Sequence, residues 1–219
     1  MDDIYCYPNS NVLKNNLDIQ DAKLLQTTEI EITSANLLDL QQHPVHGNFD
    51  FKHLCEIHKR IFQDLYKWAG QTRTVDIGKG NLFCLVQNIP SYADSIFTSY
   101  YKDCKNTKHD KSQFIDALTN HYADTNALHP FREGNGRAQR EFARELCEHF
   151  GYTFDLSHTS HKQMLDASIE SFNTGDNSKL KTIFCDAIRP IDQQYQQRLR
   201  REIPILSSDD ISDEYTCEL

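Results

Sequence analysis

His129-Pro130-Phe131-Arg132-Glu133-Gly134-Asn135-Gly136-Arg137-Ala138-Gln139-Arg140 is the stretch on which the reading of this chain turns. A helix running up to Leu128 must stop there, because the residue before a proline is pushed out of the helical region. Asn135 or Gly136 then opens a second helix, and the glycine turn between them brings the two helix ends together. Such a turn can aim backbone N–H groups at an anion, and the helix N-terminus adds positive potential. His129 beside it offers a proton acceptor suited to neutral pH. Glu133 offers a hard oxygen ligand for Mg²⁺. Gly134 and Gly136 would let backbone approach a phosphate without Cβ obstruction, and Asn135 could donate its amide. Arg137 and Arg140, three apart on one helical face, could reach distal phosphates. Phe131 reads as an apolar anchor. The pattern suggests phosphoryl or nucleotidyl transfer.

Working outward, helices are expected at 20–41 (Leu24, Leu25, Ile30, Ile32, Leu37, Leu38 and Leu40) and from Asp50 to about Gly70 (Leu54, Ile57, Ile61 and Leu65). Others are expected at 90–104, from an Asp110 cap to Pro130 with Phe114, Leu118, Tyr122 and Leu128 inward, from 135 to Gly151, and at 160–173 and 177–188. Residues 74–86 break this pattern. Thr74–Ile77 and Leu82–Val86 around Gly78-Lys79-Gly80-Asn81 read as a hairpin, the only β signal in the chain. Its bland reading is a structural ribbon. Its functional reading is a flap whose edge pairs an extended substrate segment, with Lys79 near the nucleotide or target.

The 219 residues suit one ordinary domain, and 38% hydrophobic with 25% charged residues suits a globular chain. A net charge of −9 argues against non-specific nucleic-acid binding. Residues 129–144 nevertheless hold Arg132, Arg137, Arg140 and Arg144 against Glu133 and Glu141, a small basic spot fit for a nucleotide. No apolar stretch approaches the roughly 20 residues of a membrane span. No basic-then-apolar leader follows Met1, so a cytoplasmic location is expected. Seven scattered cysteines without a C-x-x-C read as reduced thiols. The remaining histidines, His58 among them, read as core or surface residues. After Pro190 apolar periodicity fades, and 207–219 hold Asp209, Asp210, Asp213, Glu214 and Glu218 with no basic residue, as a solvated tail would.

Taken alone, His129 would be a helix cap and Glu133 a surface carboxylate favoured by the helix dipole. Arg137 and Arg140 would form an exposed ion-pair face. Their common spacing argues otherwise. A different class of protein, a nucleotide-binding interaction module docking through its tail, would keep the phosphate grip yet have no need of His129.

The 129–140 run resembles the Fic signature, His-x-Phe-x-(Asp/Glu)-Gly-Asn-Gly-Arg-x-x-Arg, at every fixed position. Leu65–Val75, Lys79-Gly80 and Phe83 are similar to the family's flap and its approach, and Tyr5, Tyr7, Pro8 and Leu13 to the start of the bacterial cell-filamentation branch. The resemblance implies an all-α Fic fold with a small β-hairpin flap over residues 1–190, leaving 191–219 as an extension. It implies AMP transfer from ATP, with Mg²⁺, to a Tyr, Thr or Ser hydroxyl of a target protein docked on the flap. His129 would be the base, Glu133 the metal ligand, Gly134, Asn135 and Gly136 the phosphate cradle, and Arg137 and Arg140 the β- and γ-phosphate ligands. Lys79 and Gly80 would lie against the nucleotide. Phosphorylating relatives carry Ala and Lys where this chain has Gly134 and Gly136, which favours adenylyl over phosphoryl transfer, and phosphocholine transfer fits less well. Type II topoisomerase subunits are targets by family resemblance alone. The family's inhibitory helix carries Ser/Thr-x-x-x-Glu-Gly/Asn. Here Thr27-x-x-x-Glu31 is followed by Ile32 and reads as core, so a separate small antitoxin is expected and the isolated chain should be active and toxic.

Overall fold

The computed structural model describes residues 4–191, except the side chain of Lys79. The acidic tail at 207–219 lies outside the described residues. Among the described residues seven α-helices dominate: α1 (Ala22–Gln42), α2 (Phe51–Phe62), α3 (Ile89–Thr107), α4 (Lys111–Leu128), α5 (Asn135–His149), α6 (His161–Thr174) and α7 (Ser178–Ala187). Two small antiparallel pairs join them, β1 (Gly78–Lys79) with β2 (Asn81–Leu82), and β3 (Tyr152–Phe154) with β4 (Ile188–Pro190). The fold is all-α with a small hairpin, as expected.

Caps set the helix starts. Asp50 accepts from His53 N–H at 2.9 Å, and Asp110 accepts from the N–H groups of Ser112 and Gln113 at 3.0 and 3.1 Å. Each satisfies a first-turn donor that has no helical partner. Leu54, Ile57 and Ile61 of α2 are fully buried, as are Phe114, Leu118 and Leu128 of α4. The second helix ends earlier than its apolar pattern suggests. α2 stops at Phe62, and Leu65 and Tyr66 reach the core from a coiled turn that Gly70 closes at φ +78°.

Three expectations are corrected. The hairpin strands are Gly78–Lys79 and Asn81–Leu82, turning on Gly80, while Thr74–Ile77 and 83–86 are not strands. It is also not the only β element. β3 and β4 pair from 152 to 190, where Tyr152, Thr153 and Phe154 are all buried and so lack the alternation that marks a half-exposed strand. On α1, Thr27 and Glu31 are exposed rather than core. The buried stripe runs Leu25–Glu29–Thr33–Leu40, and a two-residue step turns a side chain about 200° away.

Helix α5 lies at the centre, packed by α2, α4 and β3. Ala138, Phe142, Ala143, Leu146 and Cys147 are buried, and so are Arg137, Gln139, Glu141 and Glu145. Buried polar groups must find partners. Glu145 takes His53 Nε2 at 2.8 Å and Val45 N–H at 3.1 Å, and Gln139 donates to Thr125 O at 3.1 Å. That last bond ties the start of α5 to the end of α4.

Candidate active site

The end of α4 and the start of α5 meet across residues 129–134. His129 caps α4 in the left-handed region, φ 44° and ψ 62°, where non-glycine residues are uncommon. Its backbone N–H donates to Thr125 O at 3.1 Å, and its carbonyl accepts from Arg73 Nε at 2.8 Å. The imidazole Nδ1 lies 3.2 Å from Asn126 O. A carbonyl only accepts, so in the neutral ring Nδ1 carries the proton and Nε2 the lone pair. That is the tautomer a proton acceptor needs. Phe83 stacks on the same ring at 3.7 Å and 11°.

The turn is built from within. Asn135 Nδ2 donates to Phe131 O and its Oδ1 accepts from Phe131 N–H, both at 2.8 Å. The side-chain amide thus closes the loop, a role the sequence reading did not foresee. Asn135 also offers its backbone N–H at the first helical position. Gly134 precedes α5 with no side-chain cap, and the first turn of a helix has no internal acceptors for its N–H groups.

Packing gives Gly134 a further reason to be glycine. A Cβ there would meet Phe62 Cζ at 2.1 Å, and φ is +77°. The missing side chain makes room for α2, so the turn can sit down on Phe62.

Glu133 accepts from Gly134 N–H at 2.7 Å and from Arg137 Nη2 at 3.2 Å. Its carbonyl accepts from His58 Nε2 at 2.9 Å, and His58 Nδ1 accepts from Gly70 N–H at 2.8 Å. Both ring nitrogens are therefore assigned, and His58 is neutral. Burial lowers its pKa to about 3, against the smaller upward pull of the Glu133 carbonyl. Phe131, fully buried, stacks on it at 3.8 Å. His58 is a core residue, as expected, but one that grips the backbone beside Glu133.

Arg137 departs most from its expected place. It is 6% exposed, 2.7 Å from Glu29 Oε1, and its guanidinium lies 4.6 Å from the Phe62 ring centre. Tyr66 O–H donates to the same Glu29, and burial together with that carboxylate pushes the phenol pKa far up. Arg137 and Arg140 therefore do not form one exposed face. Arg137 turns inward between Glu29 and Glu133, whereas Arg140 is half-buried. Lys79 lies outside the residues whose side chains are described. Gly80 is exposed at the hairpin tip, with nothing within 4 Å of where a Cβ would stand.

The residues that sequence reasoning missed are Glu29, Tyr66, Arg73 and the gripping role of His58. Glu29 left a signal, a carboxylate on the Leu25–Thr33 stripe. Arg73 left none. Among the described residues no three His, Cys, Asp or Glu side chains gather into a metal cage. A lone carboxylate, Glu133, still fits a cation whose remaining ligands are phosphate and water.

The model of the Fic/DOC family matches residues 48–147. The chain is similar to the probable protein adenylyltransferase y4lH of Sinorhizobium fredii, 37% identical over 182 residues, which are 82% of this chain and 93% of that protein. Against the probable protein adenylyltransferase Fic of Salmonella typhimurium it is 34% identical, with 85% and 92% covered. Protein adenylyltransferase VbhT of Bartonella schoenbuchensis is 37% identical over 78% of this chain, which spans only 36% of that longer relative. Among solved structures, the N-terminal Fic domain of a putative cell filamentation protein from Bartonella quintana, with bound ADP, superposes with a TM-score of 0.78 at 25% identity. It covers 88% of this chain and 97% of that one. BepC of Bartonella tribocorum, with bound AMPPNP, gives 0.80 at 24% identity over 86% and 97%, a likeness of fold.

Proposed function

Because the chain belongs to the Fic/DOC family, we propose that it is a protein adenylyltransferase, moving AMP from ATP to a Tyr, Thr or Ser hydroxyl of a target protein and releasing pyrophosphate. Supporting this are relatives named adenylyltransferase that it matches over most of its length. The observation that carries it is local: an imidazole with its lone pair on Nε2 stands at the same turn as an uncapped helix N-terminus.

In this reaction the hydroxyl oxygen bonds to the α-phosphorus, the bond to the β-phosphate bridge breaks, and the hydroxyl proton passes to His129 Nε2. The backbone N–H groups of Asn135 and Gly136 face the anion, and charge compensation with positioning does most of the work. Glu133 would hold Mg²⁺, which when bound offsets phosphate charge. Arg140 is the proposed ligand of the terminal phosphates, while Arg137 orients Glu133 from inside. Both outer edges of the β1–β2 pair lack a strand partner among the described residues, and Leu82 is exposed. An extended target segment can therefore add to this flap, with Lys79 and Gly80 at its tip. A groove of about 600 Å³ lined by Leu82, Leu85, Tyr92 and Phe172 runs beside it for flanking side chains. No helix among the described residues is long and apolar enough to cross a membrane. A separate small antitoxin, whose glutamate would engage Arg140, remains part of this reading, as does action in the cytoplasm.

The test is transfer of label from α-³²P-ATP to protein in a bacterial lysate. Mg²⁺-dependent labelling lost in His129→Ala supports the reading. Labelling from γ-³²P-ATP instead would make the protein a kinase, and ATP binding without transfer would make it an interaction module.

A further inference from the structure

Arg73 is 1% exposed, among the largest fully buried side chains of the protein. Its nearest carboxylate is Asp76, at 3.8 Å, and that group is half in solvent. The guanidinium is instead gripped by backbone carbonyls. Nε donates to His129 O at 2.8 Å, Nη1 to Val75 O at 2.9 Å, and Nη2 to Cys84 O. Val75 and Cys84 are the two feet of the flap. The third carbonyl belongs to the residue proposed as the base.

Burying a cation among neutral acceptors is a costly way to gain stability. What it supplies is geometry, because a planar guanidinium fork can serve three carbonyls in fixed directions and an ammonium cannot. The surroundings carry the same connection. Arg73 N–H donates to Pro130 O at 2.9 Å, Cys84 N–H to Ala127 O at 3.1 Å, and Phe83, next to the gripped Cys84, lies flat on the imidazole at 3.7 Å. Thus one side chain holds the left-handed His129 backbone and both legs of the hairpin whose Phe83 covers its ring.

We infer that Arg73 is a positioning residue that sets the spacing between the flap and His129, and so between a target hydroxyl on the flap and its proton acceptor. This rests on the transfer reaction proposed above. The phosphate-facing end of α5 is anchored separately, by Asn135 on Phe131 and by His58 on Glu133. Nucleotide grip and hydroxyl placement should therefore respond differently to loss of the fork.

The experiment compares the full chain with Arg73→Lys and Arg73→Met, measuring AMP transfer, Mg-ATP affinity, thermal midpoint and amide hydrogen exchange. In both variants kcat should fall about a hundredfold, the scale of a small misplacement of reacting groups. Mg-ATP Kd should stay within about threefold. Exchange should quicken at Phe83, Cys84 and His129 but not along α5. Transfer within about threefold of the parent overturns the inference. So does a parallel loss of ATP affinity and α5 protection, or failure of both variants to fold, since each makes Arg73 only a prop of the core. If the parent chain itself transfers no AMP, the proposed function fails, and the exchange pattern alone decides the coupling. Unchanged flap amides would then sink it.

Discussion

A methyl group on residue 134 would sit 2.1 Å from Phe62 Cζ, in a backbone at φ +77°. Gly134→Ala must either lift the turn off α2 or move the ring, and left-handed strain adds to the overpacking. We expect a loss of about 2–4 kcal/mol in urea denaturation, with transfer abolished. A stability change under about 0.5 kcal/mol would contradict this packing. His58 offers a second test at this scale. Its folded pKa, about 3, lies below the 6.5 of an ordinary histidine, so the unfolded chain binds the extra proton. Stability is full above pH 6.5 and is withdrawn as pH falls towards 3, by about 1.4 kcal/mol per unit for this group. His58→Asn should flatten that limb when stability is measured from pH 7 to 4. An unchanged slope would show that His58 accepts a proton in place.

At the level of elements, α1 does more than cover the bundle. Its stripe delivers Glu29 and Thr33 to the guanidinium of Arg137, which in turn touches Glu133. Glu29→Gln keeps the shape and removes the charge. Arg137 is left buried with Glu133 as its remaining carboxylate among these, so stability should drop by about 3 kcal/mol. The stronger Arg137–Glu133 attraction should also raise the Mg²⁺ concentration that transfer requires. Chemical denaturation and a Mg²⁺ titration check the two effects, and a lowered Mg²⁺ requirement would mean that Arg137 does not act through Glu133. The flap is tied down as well, by Asn81 Nδ2 on Asn173 Oδ1 at 2.8 Å and by Phe83 against Phe172 at 4.8 Å. These contacts fix the hairpin to α6 on one side while Arg73 holds its feet.

For the whole molecule, an acidic chain of net charge −9 keeps Arg132 and Arg140 near the turn, while Arg137 is paired inside with Glu29 and Glu133 and Arg144 with Glu141 and Glu148. Nucleotide that binds the folded chain and not the unfolded one stabilises it by mass action. At a hundred times Kd, Mg-ATP should add about 2.7 kcal/mol. The thermal shift should persist in His129→Ala, which removes a proton acceptor, and shrink in Arg140→Ala, which removes a proposed phosphate ligand. A shift lost in His129→Ala and kept in Arg140→Ala would reverse those roles.

What the sequence determined by itself was local. Asp50 and Asp110 mark helix starts, Pro130 stops α4, and apolar spacing places Ile57, Leu118 and Leu128 inward, because caps and periodicity act within a turn or two of chain. The 129–140 run likewise marked the end of α4, the turn and the start of α5. Tertiary structure decided what depends on partners distant in the chain. Glu29 claims Arg137 from 108 positions away, and Arg73 reaches a carbonyl 56 positions on. Gly134 answers to a ring on α2, and the fully buried β3 finds its partner only when residue 190 returns to it. A buried charge or an empty Cβ position takes its meaning from what stands opposite, and only folding brings that neighbour there.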